Sequence, residues 1–148
     1  MTMRAALTAM PLLLLAACSG GGDDPATSAE GWEIAPGTYG NVVMADSSDS
    51  YQGVELRLPE GSESETVEMV RCDGWCGQVE RQPVRRGLNG LSFAFHIGER
   101  TVDVALTPHG PDRIELTADW GEGVTSQPLL LLEQPVGLAA AHGKPPAE

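Results

Sequence analysis

Three thiols carry most of the chemistry this chain can do: Cys18, Cys72 and Cys76. A thiol can be acylated, can ligate a soft metal or can close a disulfide. Cys72-Asp73-Gly74-Trp75-Cys76 places two of them with three residues between, around a glycine, a spacing that suits a clip across the tip of a β-hairpin. The loop such a bond closes is small, so its entropic contribution falls below the ~3 kcal/mol expected for a fifteen-residue loop. Trp75 sits inside that clip, where a large amphipathic ring can anchor a partner. Three histidines and many carboxylates are present, yet no phosphate loop, HExxH or Gly-x-Ser-x-Gly motif occurs to set a nucleophile beside a base. The reading is therefore non-enzymatic, with no catalytic residues, no metal and no cofactor.

The start of the chain reads as an address. Arg4 supplies a positive region, Ala5 to Ala17 carries no charge, and the apolar run is too short for a bilayer span, which needs about 20 residues. Leu15-Ala16-Ala17-Cys18 resembles the lipobox of bacterial lipoprotein precursors. That resemblance implies a signal peptide over 1–17, removed so that Cys18 becomes the N-terminus, with thioether-linked diacylglycerol and an amide-linked third chain such as palmitate on it. At about 0.8 kcal/mol per buried methylene, two or three chains hold a protein on a membrane. Ser19, in place of the aspartate that signals inner-membrane retention in Gram-negative lipoproteins, implies the outer membrane, with the body facing the periplasm. In that oxidising space, with Cys18 acylated, Cys72 and Cys76 are left as a pair.

The Cys-x3-Cys run is also similar to the copper site of cytochrome oxidase subunit II, matching at Cys72, Cys76 and Gly77. Glu80 stands where that family's histidine would be, and no methionine follows at Pro83. Without those ligands most of the affinity for copper is gone. The acidic turns Asp46–Tyr51 and Glu60–Glu65 read as solvated loops, and Arg81, Arg85 and Arg86, the one basic cluster, as partners for surrounding acids. A formal charge of −12 excludes nucleic acid as a partner, because phosphate binding needs clustered cations.

The elements that must position these residues read as strands. Period-two alternation is plain in Val54–Leu58, Leu91–Ile97, Val102–Leu106 and Ile114–Trp120. Further candidate strands are Thr38–Ala45, Thr66–Cys72, Cys76–Arg86 and Gln127–Glu133, the last with Leu129 to Leu132 buried on both faces. Asn89-Gly90 predicts a type I′ hairpin turn and Gly98-Glu99 a type II′ turn. Eighteen glycines and eleven prolines with no repeat period agree with many short connections. The expectation is an all-β fold: one antiparallel meander of about eight strands in a small up-and-down barrel, or a two-sheet sandwich. A tether spans 18–31, the folded body 32–135 and a flexible tail 136–148, with room in that tail for one helical turn. Gly37-Thr38-Tyr39 resembles the Gly-x-Trp opening of lipocalin-like barrels, with Tyr39 in place of Trp. Two functions follow as expectations. One is an envelope lipoprotein that binds a protein partner through Trp75. The other is a lipocalin-like carrier holding a small apolar ligand against Tyr39, Phe93, Phe95 and Trp120.

Overall fold

A computed structural model describes residues 32–45, 50–60 and 65–143. Cys18, the expected signal peptide and tether, and the acidic positions 46–49 and 61–64 lie outside the described residues. Among the described residues, ten strands and one short helix follow in chain order: β1 (Gly37–Gly40), β2 (Val43–Met44), β3 (Tyr51–Leu58), β4 (Thr66–Cys76), β5 (Glu80–Pro83), β6 (Arg85–Arg86), β7 (Leu91–Ile97), β8 (Arg100–Pro108), β9 (Arg113–Asp119), β10 (Val124–Leu132) and α1 (Gly137–His142).

All strand pairs are antiparallel and belong to one sheet, ordered β5-β4-β3-β1-β10-β9-β8-β7-β6, with β2 paired to β3 off that path. The two ends of the path, β5 and β6, are separated in sequence only by Val84. Taken as one interrupted stave they make eight, and the sheet curls almost completely into a barrel. The last strand lies beside the first, with Tyr39 opposite Leu131 and Gly40 opposite Leu130. The barrel reading therefore holds and the sandwich does not.

The alternation places one face of each stave inside. Leu91, Phe93 and Phe95 of β7, Val102, Val104 and Leu106 of β8, and Ile114, Leu116 and Ala118 of β9 are buried together with Val54, Leu56, Val67, Met69 and Leu129. An eight-stave barrel has an interior just wide enough for its own side chains. Each fully buried large side chain contributes about 1.5–3 kcal/mol.

Four local expectations need correction. Asn89-Gly90 forms no type I′ turn: the connection from β6 to β7 has four residues, Gly87 N–H donates to Gly90 O at 2.8 Å, and neither Asn89 nor Gly90 has positive φ. Glycine is needed at 90 for another reason, since a Cβ there would collide with the Leu106 carbonyl of β8. Gly98, by contrast, has φ +60° with Ile97 opposite Arg100, as the type II′ reading requires. Thr38–Ala45 is not one strand, because Asn41 interrupts it: its Oδ1 accepts from Val54 N–H at 2.8 Å and its Nδ2 donates to Gln127 at 2.8 Å. Leu129 to Leu132 is not buried on both faces. Leu129 is fully buried but Leu130 is 54% exposed, because among the described residues nothing packs over it on the outside of β10.

The fourth correction concerns the flexibility expected after Pro135; the helical turn expected there is present, but it is packed on the sheet. That turn is α1, which lies on the outer face of β3 and β4 and buries Leu138 completely. Under α1, Val70, Cys72 and Cys76 make a second apolar cluster with Val42, Tyr51, Val79, Ala140 and Ala141. Gly137 permits the close approach, since a Cβ there would meet Val42, Cys72 Sγ and Val70 at 3.0–3.3 Å. Glu55, also facing outward from β3, is fully buried beneath the helix. Its Oε2 accepts from Val136 and Gly137 N–H, both at 2.9 Å, and its Oε1 from Leu138 N–H at 3.1 Å. One carboxylate thus meets the donors that a helix N-terminus leaves open.

Candidate functional site: a cleft where the sheet edges part

The β4–β5 hairpin and the β7–β8 hairpin flank a cleft of about 460 Å³ lined by Arg71, Asp73, Trp75, Gly77, Gln78, Glu80, Phe95, His96, Ile97 and Gly98. One wall is the cysteine loop. The chain leaves the β3–β4 ladder after Gly74, which pairs with Tyr51, and turns back so that Gly77 N–H donates to Arg71 O at 3.0 Å. Gly74 has φ +85°, a conformation that L side chains rarely adopt. The Cα atoms of Cys72 and Cys76 lie 3.9 Å apart and their sulfurs at bonding distance, 2.10 Å. Both sulfurs point under α1, while Trp75 between them points outward and is 66% exposed. The expected disulfide is present, but both cysteines lie within β4 and not on two facing strand ends, and the loop presents its tryptophan to solvent.

The floor is aromatic and cationic. Phe95 and Trp120 meet edge to face, centroids 6.3 Å apart at 88°. The Arg71 guanidinium lies 5.5 Å from the Trp120 ring centre and 3.4 Å from Asp73. Arg100 donates to the Trp120 main-chain carbonyl.

The far wall is the seam between β5 and β7. Three donors converge on Glu80 Oε2: His96 N–H at 3.1 Å, His96 Nδ1 at 3.0 Å and Gln82 Nε2 at 3.1 Å. Nδ1 donates here in the tautomer that carries its proton. The pair is half exposed on the histidine side, so its electrostatic contribution is small, about 0–1 kcal/mol. No motif or spacing connects Glu80 with His96; only closure of the barrel brings them together.

The four expected ligand contacts belong to one packed cluster. Tyr39, Phe93 and Phe95 are packed inside the barrel at 1%, 1% and 3% exposure, and Trp120 caps one end. Tyr39 donates its hydroxyl to Ala35 O at 2.8 Å; burial, and then the nearby Asp112 charge, push the phenol above its ordinary value of 10.0. Together these residues form part of the packed core, and Phe95 also lines the cleft beside Trp75. At the opposite end of the barrel a pocket of about 610 Å³ opens between Trp32, Ile34, Pro36, Leu58, Val84 and Leu91. Arg86 lies 4.2 Å from the Trp32 ring centre there and donates to Trp32 O, and among the described residues it makes no salt bridge. Arg81 does take an acid, Glu68, at 2.6 Å. Among the described residues no cluster of three metal-ligating side chains occurs, and no helix is long and apolar enough to cross a membrane. Comparison with protein-family models, curated proteins and solved structures finds no match to this chain.

Proposed function

We propose that this protein is a lipid-anchored envelope module that binds a protein partner at the cleft beside Trp75 and performs no catalysis. Anchoring rests on the lipobox-like Leu15-Ala16-Ala17-Cys18, and an outer-membrane address on Ser19. The observation that carries the binding reading is Trp75 itself. A large aromatic ring, 66% exposed, is held by a closed loop on the rim of a cleft. A preorganised aromatic anchor loses little freedom on binding, and tryptophans of this kind dominate interface energies.

The experiment compares capture of envelope proteins by the wild type, by Trp75→Ala and by Leu88→Ala. Leu88 is 91% exposed, so it controls for apolar exposure alone. Loss of one defined partner with Trp75→Ala and not with Leu88→Ala supports the reading; equal capture by all three overturns it. A second reading is a carrier of a small apolar ligand, supported by the pocket beside Trp32. Native mass spectrometry of the folded protein with a retained apolar molecule, lost in Trp32→Ala, would favour it.

A further inference from the structure

β6 pairs with β7 so that Arg86 stands opposite Leu91 and Arg85 opposite Ser92. Residues paired in this way share a face of the sheet. Leu91 is buried in the core, so Arg86 lies on the inner face at the barrel mouth and Arg85 on the outer one. Trp32 reaches the same mouth, and its Nε1–H donates to Gly87 O at 3.0 Å, which orients the indole beside the β6–β7 turn. One face of that ring already holds a cation, the Arg86 guanidinium, 4.2 Å from the ring centre. Ile34, Leu58, Val84 and Leu91 supply apolar walls to the pocket of about 610 Å³ that opens there. Small-molecule sites span roughly 300–1,000 Å³, and the mouth of a β-barrel is one of their usual places.

The charges around the pocket are unequal. Glu33 and Glu65 belong to its lining, and Arg86 is the single basic residue there. Among the described residues neither carboxylate enters an ion pair. Glu60 follows the lining residue Pro59, and the whole chain carries −12. An anionic head would meet an excess of like charge, whereas a cation is drawn in.

We propose that this pocket binds an amphiphilic cation, with an alkylated ammonium head that replaces the Arg86 guanidinium on the face of Trp32 and an apolar chain against Ile34, Leu58, Val84 and Leu91. This rests on the carrier reading of the pocket and names the class of its ligand. Tryptophan offers the strongest ring face for a cation. A fully alkylated ammonium has no N–H donors whose bonds to water must be replaced on burial. Glu33 and Glu65 supply the counter-charge, and Arg86, held by no ion pair, can turn to solvent.

The test uses the full chain with Cys18→Ser, so that no acyl chain competes, and three probes of one chain length: octyltrimethylammonium, octanol and octanoate. The readout is the NMR signal of the Trp32 indole N–H, assigned with Trp32→Phe. The expected result is a saturable shift with octyltrimethylammonium, binding about tenfold more tightly than octanol, with octanoate the weakest of the three. Arg86→Ala clears the ring face and should tighten binding of the cation. Glu33→Gln combined with Glu65→Gln should weaken the cation about fivefold and leave octanol unchanged. Octanoate binding as tightly as the cation, or weaker cation binding in Arg86→Ala, overturns the proposal. A Trp32 signal that moves with protein concentration before any probe is added marks a contact between copies of the chain and overturns it too. Equal binding of octanol and octyltrimethylammonium removes the cation preference and leaves the carrier reading standing. No shift with any probe at millimolar concentration removes both.

Discussion

Replacing Glu55 by alanine should be among the most damaging single changes to the outer layer. The carboxylate is fully buried and accepts three N–H groups from residues 136–138 at 2.9–3.1 Å. A hydrogen bond to a charged group contributes about 1.5–3 kcal/mol, so three would sum to more than the helix can lose. The ceiling is set by undocking of α1, which returns those donors to water and sacrifices Leu138, itself worth about 1.5–3 kcal/mol of burial. The expected cost of Glu55→Ala is therefore about 3–5 kcal/mol. Leu138→Ala, acting on the same docked helix, should cost about 2–4 kcal/mol. Because both act through one contact, the double variant should fall short of additivity by about 1 kcal/mol or more. Urea unfolding followed by circular dichroism measures all three, with unchanged slopes certifying comparable end states. A loss below about 1 kcal/mol for Glu55→Ala, or strict additivity, would refute the view that this carboxylate holds the C-terminal helix.

Two further outcomes follow from the same structure. Replacing Cys72 and Cys76 together by serine should cost about 2 kcal/mol from loop closure, more if the cluster under α1 loosens, and denaturing thiol counts on the oxidised protein should find both unreactive. Tyr39 is raised above 10.0 in the folded protein by burial and Asp112, so above pH 10 the folded state binds more protons than the unfolded one. The stability it contributes is complete below pH 10 and lost as pH rises through the folded value. Urea midpoints between pH 9 and 11 should show that decline, flattened in Tyr39→Phe.

What was legible in the sequence was whatever depends on local pattern. β7, β8 and β9 alternate because one face meets a core that admits no polar group, and Gly98 sits where φ must be positive. The cysteine spacing marked the clip and Trp75 within it. Glu55 was not legible: between Val54 and Leu56 it reads as the wet face of a strand, and only the return of the chain at residue 137 buries it. Asn89-Gly90 misled because glycine at 90 answers a contact with Leu106, sixteen positions away, and not a local dihedral. The seam escaped for a similar reason. Pro83 hints at an edge, but the meeting of Glu80 and His96 is a product of barrel closure.

The most direct measurement is the mass of the mature protein's N-terminal peptide after detergent extraction from envelopes. The account predicts a peptide beginning at Cys18 and carrying two or three acyl chains, and a Cys18→Ser variant that is released from the membrane or left uncleaved. A mature chain that starts elsewhere, or starts at Cys18 without acyl groups, would contradict it.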